Sequence, residues 1–144
     1  MVQTQSYGAE ARGSAAKSEV IISDEPIKFP KVRKCDILVA MSQTALDKNS
    51  KELKEDGVLL VDKDMVTEVP ELKAKIFWVS ATKTAEAKLK RRIYANTVML
   101  GALTKATRIV GRKAMETAIR DSIPKEMLQE NLHGFQLGLQ IVEG

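Results

Sequence analysis

Cysteine is nearly absent from this chain of 144 residues, and the shortage excludes whole classes of chemistry. A single thiol, Cys35, rules out an internal disulfide framework and suits a reducing, cytoplasmic setting. It also rules out an iron–sulfur cluster held by this chain alone, because such clusters need about four thiolates. Cys35 lacks the paired histidine that would activate a nucleophile. His133 is the only histidine; it lies off the apolar stripe of a helical pattern, without a partner acid, and reads as a solvated side chain rather than a general base. No cluster of His, Cys, Asp and Glu has metal-ligand spacing, and the glycine fingerprint of nucleotide-binding folds is missing. Aromatic residues make up 4%, which leaves few platforms for stacking bases, so a net charge of +4 and a pI near 9.2 do not by themselves indicate a nucleic-acid partner. No apolar run approaches the length of a bilayer. Residues 1–4 lack the basic-then-apolar order of a secretory signal, so neither membrane insertion nor export is expected.

What is present is a core. Apolar residues amount to 44%, enough for one domain over 1–144. Strands are expected at Val2–Gln5 and Lys17–Ser23, with Pro26 and Pro30 bracketing an irregular segment after the second. Ile37–Met41, Val58–Val61 and Ile76–Val79 are short, continuous apolar runs, the pattern of parallel strands buried on both faces. Ser42 is placed to cap a helix reaching about Lys54, with Ala45, Leu46, Asn49 and Leu53 inward and Gly57 in a left-handed terminal position. A long helix is expected from Thr84 to about Val110. Its Lys88–Arg92 run reads as a solvated or partner-facing surface, Gly101 as a point of close packing, and Asn96 as a satisfied core amide or a ligand contact. Residues 112–122 form an amphipathic helix with Ala114, Met115, Ala118 and Ile119 on one face. After Pro124 comes a last helix, with Leu128, Leu132, Phe135, Leu139 and Val142 in one stripe. The fold class is α/β: a mainly parallel open sheet flanked by helices, with a helical C-terminal part.

In such a sheet ligands bind beyond the carboxyl ends of the strands. Those ends are Ser6-Tyr7, Ser42-Gln43, Asp62-Lys63 and Ser80–Lys83, expected along one edge. Hydroxyls, amides, Lys83 and Arg12 near a helix N-terminus suit a phosphate or carboxylate group, although Ser42 and Thr84 can equally be simple caps. The loop from Ser6 to Gly13 carries Tyr7, Glu10 and Arg12 beside two glycines, Gly8 and Gly13, which allow sharp turns. It reads either as a plain polar connection, with Arg12 paired to Glu10 or solvent, or as a binding loop.

The string Gln5-Ser6-Tyr7-Gly8-Ala9-Glu10-Ala11-Arg12-Gly13, followed by Ala16–Ser23, resembles the gamma subunit of 2-oxoacid:ferredoxin oxidoreductases, most closely the 2-oxoglutarate type. The likeness continues through Cys35–Gln43, Gly57–Asp62, Ala81–Ala85 and Asn96–Ala102. Two departures stand out: Ser14 replaces a second glycine, and the strand and glycine-rich turn with which relatives begin are not in this sequence. The resemblance implies alpha and beta subunits, with a delta subunit in some complexes, that hold thiamine diphosphate and an iron–sulfur cluster, pass electrons to ferredoxin and form an acyl-coenzyme A from a 2-oxoacid such as 2-oxoglutarate or pyruvate. This chain would supply architecture and coenzyme A contacts, with no catalytic residue of its own. The cofactor-facing residues would be Ser6, Tyr7, Gly8, Arg12, Gly13, Ser42, Gln43 and Thr82. It also implies that the first strand belongs between Val2–Gln5 and Ile37–Met41, so that a chain starting after it is a shortened form whose two strands must find other partners. A free-standing small-molecule module using the same crevice, and a basic nucleic-acid accessory protein using Lys88–Arg92, are the other readings.

Overall fold

A computed structural model describes residues 2–7, 16–24 and 34–142, and the side chains of 17–24 and 34–142. Its strands fall into two sheets. Strands β1 (Val2–Tyr7) and β2 (Ala16–Ile21) form an antiparallel pair in which Val2 faces Ile21 and Tyr7 faces Ala16. Strands β3 (Cys35–Ala40), β4 (Leu53–Asp62) and β5 (Lys75–Val79) form a parallel sheet in that spatial order. The α/β class is as the sequence implies, but β1 and β3 do not meet: β1 has β2 as its partner. The end of β1 at Ser6-Tyr7 therefore belongs to the hairpin rather than to the parallel sheet that carries the other three strand ends.

Each face of the parallel sheet has its own core. On one, Leu60 and Val79 lie with Ala81, Ala85, Leu89, Tyr94, Val98 and Ala102 from the helices that follow. On the other, Leu59 and Val61 pack with Leu46 of helix α1 (Gln43–Asn49) and with Val66 and Ala74 of the connection 63–74. The alternation of Leu59, Leu60 and Val61 between the two cores is the period of two expected of a strand covered on both sides.

Several boundaries differ from the sequence expectation. Helix α1 ends at Asn49, a 3-10 turn follows over Ser50–Glu52, and Leu53 already belongs to β4. Gly57 is thus no helix terminus but lies within β4, where the register between β3 and β4 jumps from Cys35↔Leu53 to Ile37↔Val58. A Cβ at Gly57 would stand 2.9 Å from the Asp36 carbonyl oxygen, so the glycine lets the two backbones close at this bulge. The helix expected over 84–110 is two helices, α2 (Ala81–Leu89) and α3 (Ala95–Thr107). Lys90, left-handed at φ 65°, and the turn Arg92–Tyr94 separate them. The physical reason is length: a straight helix over 84–110 would run about 40 Å, roughly twice the length of β3 or β5. Lys88–Arg92 accordingly straddles a helix end and its turn rather than one helical surface.

Helix α4 (Arg112–Ser122) buries only Ile119, and Ala114 and Ala118, expected inward, are exposed. Helix α5 (Lys125–Ile141) buries Asn131, Gly134, Phe135 and Gly138; of the expected stripe only Phe135 is fully enclosed, while Leu128, Leu132, Leu139 and Val142 are half-buried. Gly101 meets α5 as closely as anticipated, since a Cβ there would collide with the Phe135 carbonyl and approach Gly138. Asn96 is exposed, its side-chain oxygen accepting the Thr97 N–H, so it is no core amide. The buried amide is Asn131, which donates to the Met127 carbonyl at 2.9 Å and accepts the Thr97 hydroxyl.

Candidate functional site

Parallel strands end on one edge, and β3, β4 and β5 stop there at Ala40, Asp62 and Val79. The helices α1 and α2 begin just beyond, so their free N–H groups face the same crevice. Ser42 has the extended backbone of an N-cap, and its hydroxyl accepts the Ala45 N–H at 3.1 Å. Gln43 staples the connection 63–74 to α1. Its side-chain oxygen accepts the N–H groups of Thr67 and Glu68 at 2.9 and 3.0 Å, and its amide nitrogen donates to the Glu68 carbonyl and to Asp47. Thr82, buried in the first turn of α2, donates its hydroxyl to the Asp62 carboxylate at 2.6 Å.

Two aspartates organise this edge: Asp62, which the sequence places only as a strand end, and Asp64, to which it assigns no role. Asp62 is fully buried; its carboxylate takes the Thr82 hydroxyl and the Asp64 N–H, while its carbonyl takes the N–H groups of Met65 and Val66. An aspartate binding the backbone two residues on is a turn-former, and here it ends β4 and starts the connection. Asp64 in turn accepts the Ser80 hydroxyl at 2.8 Å and the Lys83 N–H at 2.8 Å. It caps α2 from outside that helix, placing negative charge at the positive end of the dipole. Thr84, expected as a possible cap, lies one turn inside α2, its own N–H going to the Ser80 carbonyl. The readable signal was Asp62-Lys63-Asp64 directly behind an apolar run, two turn-forming aspartates at a strand end.

Of the residues expected to face a cofactor, Ser42, Gln43 and Thr82 come together on this edge, each with its polar group already hydrogen-bonded to protein. The side chains of Ser6 and Tyr7, and Gly8, Arg12 and Gly13 entirely, lie outside the described residues. The described crevice is no phosphate cradle by itself, because Asp64 holds the α2 terminus where an anion would sit. Its exposed cations include Lys63 and Lys83. Among the described residues no group of His, Cys, Asp and Glu is arranged to hold a metal, and the single cysteine does not fit a cluster. Cys35 stands at the opposite end of β3, and burial first, then the charge of Glu52, push its thiol up. His133 is exposed on α5. No helix among the described residues is long and apolar enough to cross a membrane.

A parallel sheet with its ligand edge assembled from strand ends and helix starts is common to many proteins; comparison narrows the class. The chain belongs to the pyruvate ferredoxin/flavodoxin oxidoreductase family, whose model matches residues 1–141. It is 52% identical over 144 residues to the 2-oxoglutarate synthase subunit KorC of Methanocaldococcus jannaschii, covering 99% of this chain and 77% of that protein. Against the pyruvate synthase subunit PorC of Thermotoga maritima it is 35% identical over 147 residues, covering 95% and 76%. The crystal structure of the gamma subunit of a keto/oxoacid ferredoxin oxidoreductase from Geobacter sulfurreducens superposes with a TM-score of 0.83 at 44% identity, covering 96% of this chain and 78% of that one. These relatives are named as subunits of oxidoreductases of 2-oxoacids, in agreement with the resemblance drawn from the Gln5–Gly13 motif.

Proposed function

We propose that this chain, as one gamma-type domain over 1–144, is the gamma subunit of a heteromeric 2-oxoacid:ferredoxin oxidoreductase of the 2-oxoglutarate type. The observation that carries the reading is the family match over residues 1–141, together with 52% identity to a 2-oxoglutarate synthase subunit. In the complex, alpha and beta subunits, with or without a delta subunit, hold thiamine diphosphate and the iron–sulfur cluster. They decarboxylate the 2-oxoacid, send its electrons to ferredoxin and its acyl group to coenzyme A. This chain's own part is to bind and to position. The loop from Ser6 to Gly13 faces the other subunits, with Arg12 as a fork for phosphate or carboxylate and Tyr7 as a wall. The network of Ser42, Gln43, Asp62, Asp64 and Thr82 fixes the carboxyl edge of the parallel sheet, which is consistent with its fully engaged polar groups.

The test is reconstitution with the alpha and beta subunits. The complete assembly should reduce a viologen dye in the presence of 2-oxoglutarate and coenzyme A. Omitting this chain should abolish assembly or coenzyme A-dependent turnover, and Arg12→Ala should weaken it with folding intact. Full activity of the other subunits without this chain would sink the reading, and turnover by the isolated chain would sink it equally.

A further inference from the structure

Far along the chain from the strand-end network, a cleft of about 480 Å³ opens between the end of α3, the start of α4 and the outer side of α5. Lys105, Arg108 and Arg112 line it, and no carboxylate does. Its other walls include Val110, Gln136 and Leu139. Lys105 and Arg108 are exposed and, among the described residues, neither is in an ion pair. Arg112 is fixed: it donates to Glu116 at 3.1 Å and to the Gln136 side-chain oxygen, and Gln136 donates to the same Glu116 oxygen at 2.9 Å. Next to Arg108, Ile109 is 50% exposed, among the most exposed large apolar residues described. Arg108 itself caps α3 with a left-handed backbone, φ 53°, where glycine would be free of steric cost.

We infer that this cleft is a docking groove for an acidic segment of a partner protein, one in which Asp or Glu side chains alternate with an aliphatic residue. Lys105 and Arg108, the two cations of the cleft without an ion pair among the described residues, give charge complementarity to the carboxylates. Val110 and Leu139, which line the cleft, offer the apolar contact that a central anchor residue needs. A small phosphate compound fits less well: the cations stand on an open surface, and Arg112 is already committed to Glu116 and Gln136. A second copy of this chain is disfavoured by its net charge of +4.

The test uses the full chain and a fluorescein-labelled synthetic peptide of glutamates interspersed with leucines. The peptide should bind, more weakly as salt rises, and should shift backbone NMR signals over 104–112 and 136–140. Lys105→Glu/Arg108→Glu should weaken binding about tenfold or more, whereas Lys88→Glu/Lys125→Glu, the same charge change elsewhere, should leave it near wild type. If the charge reversal disturbs folding, Lys105→Gln/Arg108→Gly keeps the test valid, since glycine suits that backbone. Equal loss in both double variants, or shifts spread away from the cleft, would overturn the inference. So would displacement of the peptide by inorganic pyrophosphate, which would mark a small-anion site, or a concentration-dependent dimer that the cleft variants break.

Discussion

At the scale of single residues, the governing fact is a carboxylate that no solvent reaches. Asp62 is shielded by β4, β5 and α2, and two hydrogen bonds, from Thr82 and from the Asp64 N–H, stand in for water. Removing one partner leaves a buried acceptor short of a bond, which costs about 1–3 kcal/mol. Thr82→Val should therefore lower the melting temperature by several degrees while keeping the fold, read by thermal denaturation; an unchanged melt would mean that water replaces the hydroxyl. The sequence pointed to Thr82 as a ligand group because a hydroxyl at a helix start is ambiguous until its partner is seen. The same limit explains Asn96 and Asn131: both are amides in helical stretches, and only the crossing of α3 with α5 decides which one is enclosed. Cys35 carries a second expectation. With its thiol pushed up by burial and by Glu52, it should react with iodoacetamide at neutral pH much more slowly than a free thiol, and urea should restore the normal rate.

At the scale of elements, the closest packing belongs to α3 and α5, which meet through glycines. A methyl at Gly138 would strike the Val98 carbonyl, and one at Gly101 the Phe135 carbonyl, so neither clash ends on a side chain that could swing away. Gly138→Ala should cost about 3 kcal/mol or more, beyond the helix-propensity gain of alanine, because two backbones must separate. Calorimetry showing a stabilised variant would contradict the close crossing. Gly101 could be read from sequence because it interrupts an apolar run, where a glycine is costly without a reason. Gly134 and Gly138 could not: Leu and Phe spacing draws the eye to a stripe whose leucines are only half-buried, while the enclosed face, apart from Phe135, is made of Asn131, Gly134 and Gly138, which carry no apolar signal. Helix α4 is held differently, by the bonds among Arg112, Glu116 and Gln136. The Arg112 hydrogen bond, helped by Gln136, holds Glu116 below its usual carboxylate range. A depressed pKa means stability present above the ordinary value and lost as pH falls through the folded one. Hydrogen exchange over 112–122 should accelerate in acid relative to α3, and Glu116→Gln should flatten that difference.

At the scale of the molecule, the two faces of the sheet are covered unequally. Helices α2, α3 and α5 serve one, whereas α1 and the irregular connection 63–74 serve the other, where Trp78 of β5 remains 36% exposed. The parallel strands were legible as apolar runs, although β4 begins at Leu53, well before the Val58–Val61 run that announced it. The hairpin was not, because a strand reads the same whether its neighbour is parallel or antiparallel, and β1 and β2 were placed by order alone. The hairpin carries its own ladder, and Lys17 of β2 reaches across to Glu52, at 3.1 Å, while also pairing with Glu19 at 3.0 Å. Burial works against the Lys17 ammonium, but the hydrogen bonds to Glu19 and Glu52 outweigh it and raise its pKa. With a raised folded value, the pair's stabilisation is complete below the ordinary pKa of 10.5 and is lost only as pH climbs through the higher folded one. Near neutrality the tether should therefore be insensitive to pH. Because both partners are over one-third exposed, its worth is at most about 1 kcal/mol. Lys17→Met should then speed amide exchange in the β1–β2 ladder by no more than roughly fivefold, with the main melting transition unmoved. A drop of several degrees in that transition would instead mean that the hairpin and the parallel sheet unfold as one cooperative unit, and that the charge pair joins them.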